Sequence, residues 1–241
     1  MGLNQIEINI MNQKIYNRLL EIVKDYPHSL VDRDLLSLLV KYEFDAALSC
    51  STRSAENLIV LTNLIDDKVM TNYFGGVWKQ LEGDGPSDEK RLTARIKELK
   101  PRTILDIGCG ENHLKRSFPA LTGLDPYSAA ADIRKPLLDY TTGQKYDLVL
   151  VLGSINFGGI EKIIAECEKA IRLISERGRL IFRVNPGISH SSDESRWIDF
   201  FEWSPSFICN LGHGLGMKVE RLERDRGGRI YFEWSALKPK Q

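Results

Sequence analysis

The chain has 241 residues, enough for one large domain or for one domain with a helical appendage. With 42% hydrophobic, 27% charged and 9% aromatic residues, and only 19 Gly and 9 Pro, its composition is globular and excludes a collagen-like or low-complexity chain. Lys plus Arg and Asp plus Glu stand at 33 each, split 13 against 15 over residues 1–100 and 20 against 18 beyond, so bulk charge indicates no polyanionic partner and leaves nucleic acid to a local patch.

The first hundred residues carry helical periodicity. Ile15, Leu19, Ile22, Val23 and Tyr26 share one face, and Pro27 ends that segment because it cannot continue the hydrogen-bond ladder. A second helix starts at Ser29 or Asp32 and runs through Leu35, Leu36, Leu39 and Phe44, and a third covers Ser54 to Ile65. Gly83-Asp-Gly-Pro86 breaks the chain. Ser87 then reads as an N-cap with Asp88 and Glu89 in the first turn, followed by a buried stripe of Leu92, Ile96 and Leu99 that Pro101 closes.

Beyond residue 101 the period changes. Thr103–Ile107, Leu121–Leu124, Tyr146–Leu152 and Arg179–Val184 are short β-prone runs, mostly continuous rather than alternating, as strands buried on both faces require. Between the last two lies a helix with Ile160, Ile163, Ile164, Cys167, Ile171 and Ile174 on one face, ended by Gly178. Strand, helix, strand means a parallel sheet with crossover helices. Met217–Glu223 and Ile230–Leu237 flank Asp225-Arg-Gly-Gly-Arg229, a hairpin signal, so an antiparallel pair closes one edge.

No apolar stretch approaches the ~20 residues of a membrane span. No basic region followed by an apolar run opens the chain, and Ile6 stands where a myristoylation signal after Met1-Gly2 needs Ser or Thr, so the expected location is the cytoplasm. Cys50, Cys109, Cys167 and Cys209 are scattered without a C-x-x-C pair, which points to reduced, mainly buried thiols and to no metal site.

The chemistry concentrates at Asp106-Ile-Gly-Cys-Gly-Glu-Asn-His113, directly after the first buried strand. Ligands of open α/β sheets bind beyond the carboxyl ends of the strands, where Gly108 and Gly110 let the backbone come close. A dinucleotide fingerprint needs a third glycine at position 113, and His113 stands there, which disfavours a pyrophosphate cofactor.

The stretch resembles motif I of the class I S-adenosylmethionine (SAM) dependent methyltransferases, an acidic residue followed by alternating glycines. Asp106, Gly108 and Gly110 match it, and Asn112 replaces the final glycine. Leu124-Asp125-Pro126 matches the acid that closes the next strand, 19 positions after Asp106. By that resemblance Asp125 accepts both ribose hydroxyls, a role suited to an acceptor-only carboxylate. Ala131-Asp132-Ile133 is similar to the segment at the adenine amino edge, with Asp132 as acceptor. Only six residues separate Asp125 from Asp132, so the usual intervening helix is missing or reduced to a turn. Tyr146–Leu152 with Gly153-Ser-Ile-Asn156 resembles the fourth strand, whose end borders the methyl group. The resemblance runs on through the strand ending in Arg183-Val-Asn185 and the terminal hairpin, over residues 101–238.

What the resemblance implies is an α/β, Rossmann-like, seven-stranded, mostly parallel sheet of order 3-2-1-4-5-7-6 with an antiparallel C-terminal hairpin. Residues 100–241 form that domain, and residues 1–99 form an N-terminal helical region that lids the acceptor site or mediates homodimerisation. The cofactor is SAM and the product S-adenosylhomocysteine. The expected cofactor contacts are Asp106, Gly108, Cys109, Gly110, Asn112, Asp125, Pro126, Asp132, Ile133, Leu152 and Gly153. The bland readings are a turn-forming Asp125 before Pro126 and a solvated Asp132.

The activity expected is transfer of a methyl group to a small molecule (EC 2.1.1 class). The alternatives are an RNA, DNA or protein methyltransferase and a non-catalytic module that binds SAM or a partner on the same scaffold. No Asn-Pro-Pro-aromatic tetrapeptide, the family's commonest mark of base amino methylation, follows the fourth strand. A general base is needed only if the nucleophile is protonated. Candidates at the strand ends are Asn156, Asn185, His190 and Asp193, with His190 equally readable as an exposed loop residue among serines. His113 contacts the cofactor carboxylate or caps a helix. Trp197, Phe200, Phe201, Trp203 and Phe207 stack on a planar acceptor or pack as a helix on the sheet. Tyr73–Trp78 covers the cofactor or staples the helical region to the core. Arg221, Arg224, Arg226 and Arg229 interleave with acids as a solvated hairpin does.

Overall fold

A computed structural model of the chain describes residues 86–187, 198 and 200–237, with isolated positions 17, 67, 69–71, 73 and 74. Apart from Asn17, the helices expected before residue 66, together with His190, Asp193 and Trp197, lie outside the described residues. The chain divides into two compact units, Met1–Val77 with Ser192–Ile198, and Trp78–Ser191 with Asp199–Gln241.

The second unit opens with helix α1 (Pro86–Leu99). It begins one residue before Ser87, with Pro86 in the first turn, where proline's missing N–H costs nothing. Strands β1 (Ile104–Ile107), β2 (Leu121–Leu124) and β3 (Tyr146–Val151) follow, then helix α2 (Ile160–Leu173), strand β4 (Ile174–Val184), helix α3 (Pro205–Gly214) and strands β5 (Met217–Arg224) and β6 (Ile230–Ala236). The sheet order is β2-β1-β3-β4-β6-β5. Strands β2, β1, β3 and β4 are mutually parallel, and β6 runs antiparallel to both β4 and β5.

Six strands, not seven, are found among the described residues. Where the missing edge strand would lie beside β2, Ile133 makes a single parallel bridge to Leu124. Ile133 N–H donates to Gly123 O at 3.0 Å, and Asp125 N–H donates to Ile133 O at 3.0 Å. The cause is chain length: a parallel crossover with a helix needs a dozen or more residues, and the stretch from Asp125 to Asp132 has room only for a turn. The β1–β2 connection is similarly lean, containing one 3-10 turn (His113–Arg116).

Two apolar layers sandwich the sheet. On one face Ile96 of α1 and Leu114 pack with Ile104, Leu121, Leu148, Leu150 and Ile181. On the other, Ile163, Cys167, Ala170 and Leu173 of α2 and Ile208 of α3 pack with Leu105, Ile107, Val149, Val151, Leu180, Phe182, Phe232 and Trp234. Strand β4 starts five residues earlier than its apolar run suggests, and its register with β3 slips between Tyr146 and Leu148. Gly178 sits at that slip, where a Cβ would lie 2.8 Å from Tyr146 O. No helix forms over residues 200–204 of the aromatic stretch. Residues 201–204 are irregular, and α3 starts at Pro205 with Ser204 Oγ accepting from Phe207 N–H at 3.1 Å. Glu233, fully buried in β6, is held by Arg95 of α1 through Nε–H to Oε1 at 2.8 Å and NH2 to Oε2 at 2.7 Å, and by Tyr231 Oη–H at 2.8 Å. A buried carboxylate needs such partners to offset its desolvation.

Candidate cofactor site at the carboxyl ends of the strands

Chain reversal after β1 depends on three residues in the left-handed region: Gly108 (φ 74°), Gly110 (φ 51°) and Asn112 (φ 56°). Glycine is required at 108 for a further reason. The loop passes so close to the end of β3 that a Cβ there would fall 2.3 Å from Ser154 Cβ, and Ser154 Oγ–H donates to Ile107 O at 2.5 Å.

This bend is strapped to the end of β2. Gly108 N–H and Cys109 N–H donate to Leu124 O at 2.7 and 3.3 Å, Gly110 N–H donates to Asp125 Oδ2 at 3.0 Å, and Asn112 N–H donates to Cys109 O at 2.8 Å. Those four amides are consumed inside the protein, whereas a phosphate cradle presents its amides outward.

Asp125 faces the bend, and its Oδ1 also accepts Tyr127 N–H at 2.7 Å and Ser128 N–H at 3.0 Å. The turn-forming reading and the bend-facing reading thus describe the same carboxylate. A carboxylate has about four acceptor positions. With three amides bound, Asp125 keeps one acceptor position, on Oδ2, which suffices for one hydroxyl; a second requires the Gly110 bond to yield.

Asp106 lies 4% exposed at the end of β1, and its Oδ1 has no hydrogen-bond partner. Burial, reinforced by the Asp125 charge, pushes its carboxyl up to about 7. An orphaned buried acceptor beside a second carboxylate suits a ligand bearing cationic or N–H donor groups. Cys109, between the two acids, is an inert thiol: burial and the charges of Asp106, Asp125 and Asp132 push it up to about 12.

Asp132, expected at the adenine edge, is bonded within the protein. Its Oδ2 accepts Gly123 N–H at 2.8 Å and Asn112 Nδ2–H at 3.4 Å, and its Oδ1 pairs with Lys115 Nζ. Burial opposes ionisation, but these partners outweigh it and hold the carboxyl below its ordinary range. Ile133 spends its backbone N–H on Gly123 O. The structure therefore groups Asp106, Gly108, Cys109, Gly110, Asn112 and Asp125 around one bend, and sets Asp132 on the outer side of β2, bonded to Asn112 and Gly123.

At the end of β3, Leu152 packs against the α1 side of the core. Gly153 (φ 117°) is open, with Asn156 Nδ2 at 3.9 Å the nearest atom to a Cβ built there. Asn156 and Asn185, 2% and 0% exposed, are brought together at the ends of β3 and β4. Asn156 Nδ2–H donates to Gly153 O at 2.9 Å and its Oδ1 accepts Asn185 N–H at 2.9 Å, so this side chain clamps backbone to backbone. His113 is exposed on its 3-10 turn. Among the aromatics, Phe201, Trp203 and Phe207 belong to the core cluster, while Phe200 bridges to Phe157 beyond β3 with ring centroids 5.4 Å apart.

Two features escaped the sequence. Gly123 lies inside β2 because a Cβ there would be 2.7 Å from both Asn112 Nδ2 and Cys109 Sγ; a glycine within an apolar strand was the available signal. Glu233 and Arg95 are 138 positions apart, and no local pattern announces their pairing.

No protein-family model matches the chain, and no curated protein matches it by sequence. Solved structures do. The N-methyltransferase NodS from Bradyrhizobium japonicum WM9, crystallised with S-adenosylhomocysteine, superposes with a TM-score of 0.52 at 13% identity over 69% of this chain and 100% of that one. The 1,6-didemethyltoxoflavin-N1-methyltransferase of Burkholderia thailandensis, bound to 1,6-didemethyltoxoflavin and S-adenosylhomocysteine, gives 0.57 at 13% identity over 72% and 88%. Magnesium protoporphyrin IX methyltransferase (ChlM) from Synechocystis PCC 6803, with bound SAM, gives 0.52 at 17% identity over 71% and 97%. The chain has the fold of the class I SAM-dependent methyltransferases.

Proposed function

We propose that the protein is a SAM-dependent methyltransferase that acts on a small molecule. The observation carrying this reading is the convergence of two carboxylates on one glycine bend: Asp125, bonded to Gly110 N–H at 3.0 Å, and Asp106, buried with an unpartnered Oδ1. That pairing matches a nucleoside carrying a diol and an ammonium group, and offers nothing to a phosphate.

In this reading Gly108, Cys109 and Gly110 line the cofactor with backbone, Asp106 accepts from its amino-acid end, and Asp125 accepts from its ribose. Gly153 leaves the end of β3 open for the transferring carbon, with Leu152 beneath it. Bound SAM would supply a methyl group on a sulfonium, so that the methyl–sulfur bond breaks to leave a neutral thioether. The chain's own share is to hold an acceptor in line with that carbon and keep water away. Asn156 supports this by fixing the ends of β3 and β4 relative to each other, without itself reaching a substrate. The small-molecule acceptors named for the solved neighbours, and the neutral charge balance, favour a small molecule over RNA, DNA or protein.

Isothermal titration with S-adenosylhomocysteine, followed by transfer of radiolabelled methyl from SAM into extract fractions, tests the reading. Binding together with label in a low-mass, nuclease-resistant fraction is the expected result. Absence of binding would overturn it. Label in a nuclease- or protease-sensitive fraction would move the acceptor to a macromolecule, and binding without transfer would make the protein a cofactor-binding module.

A further inference from the structure

We propose that Asn112 is a positioning residue, whose side chain ties the Gly108–Gly110 bend to the turn at residues 130–132 and so sets the shape of the surface that meets the cofactor. In its binding arm this rests on the cofactor reading above.

Position 112 requires a left-handed backbone, φ 56°, which glycine adopts freely and asparagine tolerates better than most residues because its short polar side chain bonds locally. Asparagine therefore keeps the bend that a glycine would give and adds a side chain to it. That side chain donates through Nδ2 to Ala130 O at 3.1 Å and to Asp132 Oδ2 at 3.4 Å. Asp132 in turn accepts Gly123 N–H at 2.8 Å and pairs with Lys115 Nζ, and Lys115 N–H returns to Asn112 O at 3.1 Å. The bonds close a ring from 112 through 132 and 115 back to 112, anchored on β2 at Gly123.

The ring occupies the place where an ordinary crossover would supply a packed helix. Only a one-turn 3-10 helix follows the bend, and no helix lies between Asp125 and Asp132. Leu114 is the one buried side chain of that turn, so the bend relies on hydrogen bonds for much of its fixing, and Asn112 is 7% exposed, so its bonds act in a poorly solvated setting. The missing side chain at Gly123 makes room for this tie. Any Cβ there would occupy the space taken by the Asn112 amide. Asp132 is thereby assigned the role of anchor rather than base reader.

Asn112→Gly removes the tie while keeping a backbone free to adopt positive φ, and Asn112→Ala removes it with added strain, so comparison of the two isolates the side chain from the backbone. Amide hydrogen exchange on the ligand-free protein should quicken about tenfold in Asn112→Gly, confined to residues 108–112 and 130–132 and absent from α2 and β4. S-adenosylhomocysteine affinity should fall about tenfold, Asp132→Ala should give the same losses, and the double variant should be no worse than either single one. Exchange and affinity within about twofold of wild type in Asn112→Gly, or losses that simply add in the double variant, would overturn the proposal. If wild type does not bind S-adenosylhomocysteine, the cofactor reading fails while the exchange arm still decides the tie.

Discussion

Around β1 and β2 the chain is held by polar side chains reaching backbone, whereas around β4, β6 and α3 it is held by aromatic rings. On the first side, Asp125 accepts three amides, and Asn112, Asp132 and Ser154 each bond across to a neighbouring segment. On the second, Phe182 stacks on Phe232 at 4.5 Å and 7°, with Trp234 at 5.1 Å and Trp203 at 6.4 Å. The contents of the connections account for the contrast. The β3–β4 and β4–β5 connections carry α2 and α3, which bring apolar faces to the sheet, while the β1–β2 and β2–β3 connections carry only 3-10 turns. The glycine bend and its two carboxylates thus sit on the half of the sheet whose connections carry no α-helix.

The contrast breaks if the aromatic half also controls binding. Phe182→Ala should cost about 3–5 kcal/mol of stability in urea denaturation, since it empties a fully buried site. Its affinity for S-adenosylhomocysteine at a temperature where it remains folded should match wild type; a tenfold loss would join the two halves energetically. In the polar half, Asp125→Ala should weaken that affinity by about 1–3 kcal/mol in calorimetry, because the ligand's donors lose a charged acceptor. Unchanged affinity would remove the ribose assignment.

Asp106 sharpens the contrast through pH. Its carboxyl titrates near 7 in the folded protein because of burial and the Asp125 charge, against about 4 in an unfolded chain. A raised acid stabilises the fold fully below about pH 4 and loses that contribution as pH climbs toward 7, with a slope of at most about 1.4 kcal/mol per unit. Glu166, on α2, is raised by burial to about 7 and slopes in the same direction. Asp106→Asn should flatten the midpoint profile between pH 4.5 and 7.5 by its own share, leaving that of Glu166. Parallel profiles for variant and wild type would show that Asp106 is already ionised. The smallest effect belongs to His113→Ala, expected within about 0.5 kcal/mol in both stability and cofactor affinity, as suits an exposed side chain. A larger binding loss would place the imidazole on the ligand.

The sheet was legible because its strands are uninterrupted apolar runs between glycine and proline breaks, and the bend was legible because Gly108 and Gly110 follow such a run. The expected seventh strand was not, since a family pattern carries strand number while chain length decides it locally, and six residues between Asp125 and Asp132 admit no crossover. Aromatic spacing misled at Phe201 and Trp203, which reach the core from an irregular segment, while Phe207 does so from α3. Asn156 was picked out by its place at a strand end, but its role as a backbone clamp depends on Asn185, 29 positions away. The partners of Asp132 inside the protein, Lys115 and Gly123, are joined to it only by folding and leave no local signal in the sequence.

The rudimentary pairing of Ile133 with Leu124 has a consequence for how copies of the molecule meet. A sheet normally offers two rims to which a strand from another chain can add. One rim here is sealed from within, because Ile133 takes up Gly123 O while the Asp132 carboxylate takes up the Gly123 amide. The other is β5, whose Lys218, Glu220, Arg221, Glu223 and Arg224 stud it with charge that an incoming strand would have to match residue for residue. Strand addition is thus opposed at both rims of the described sheet.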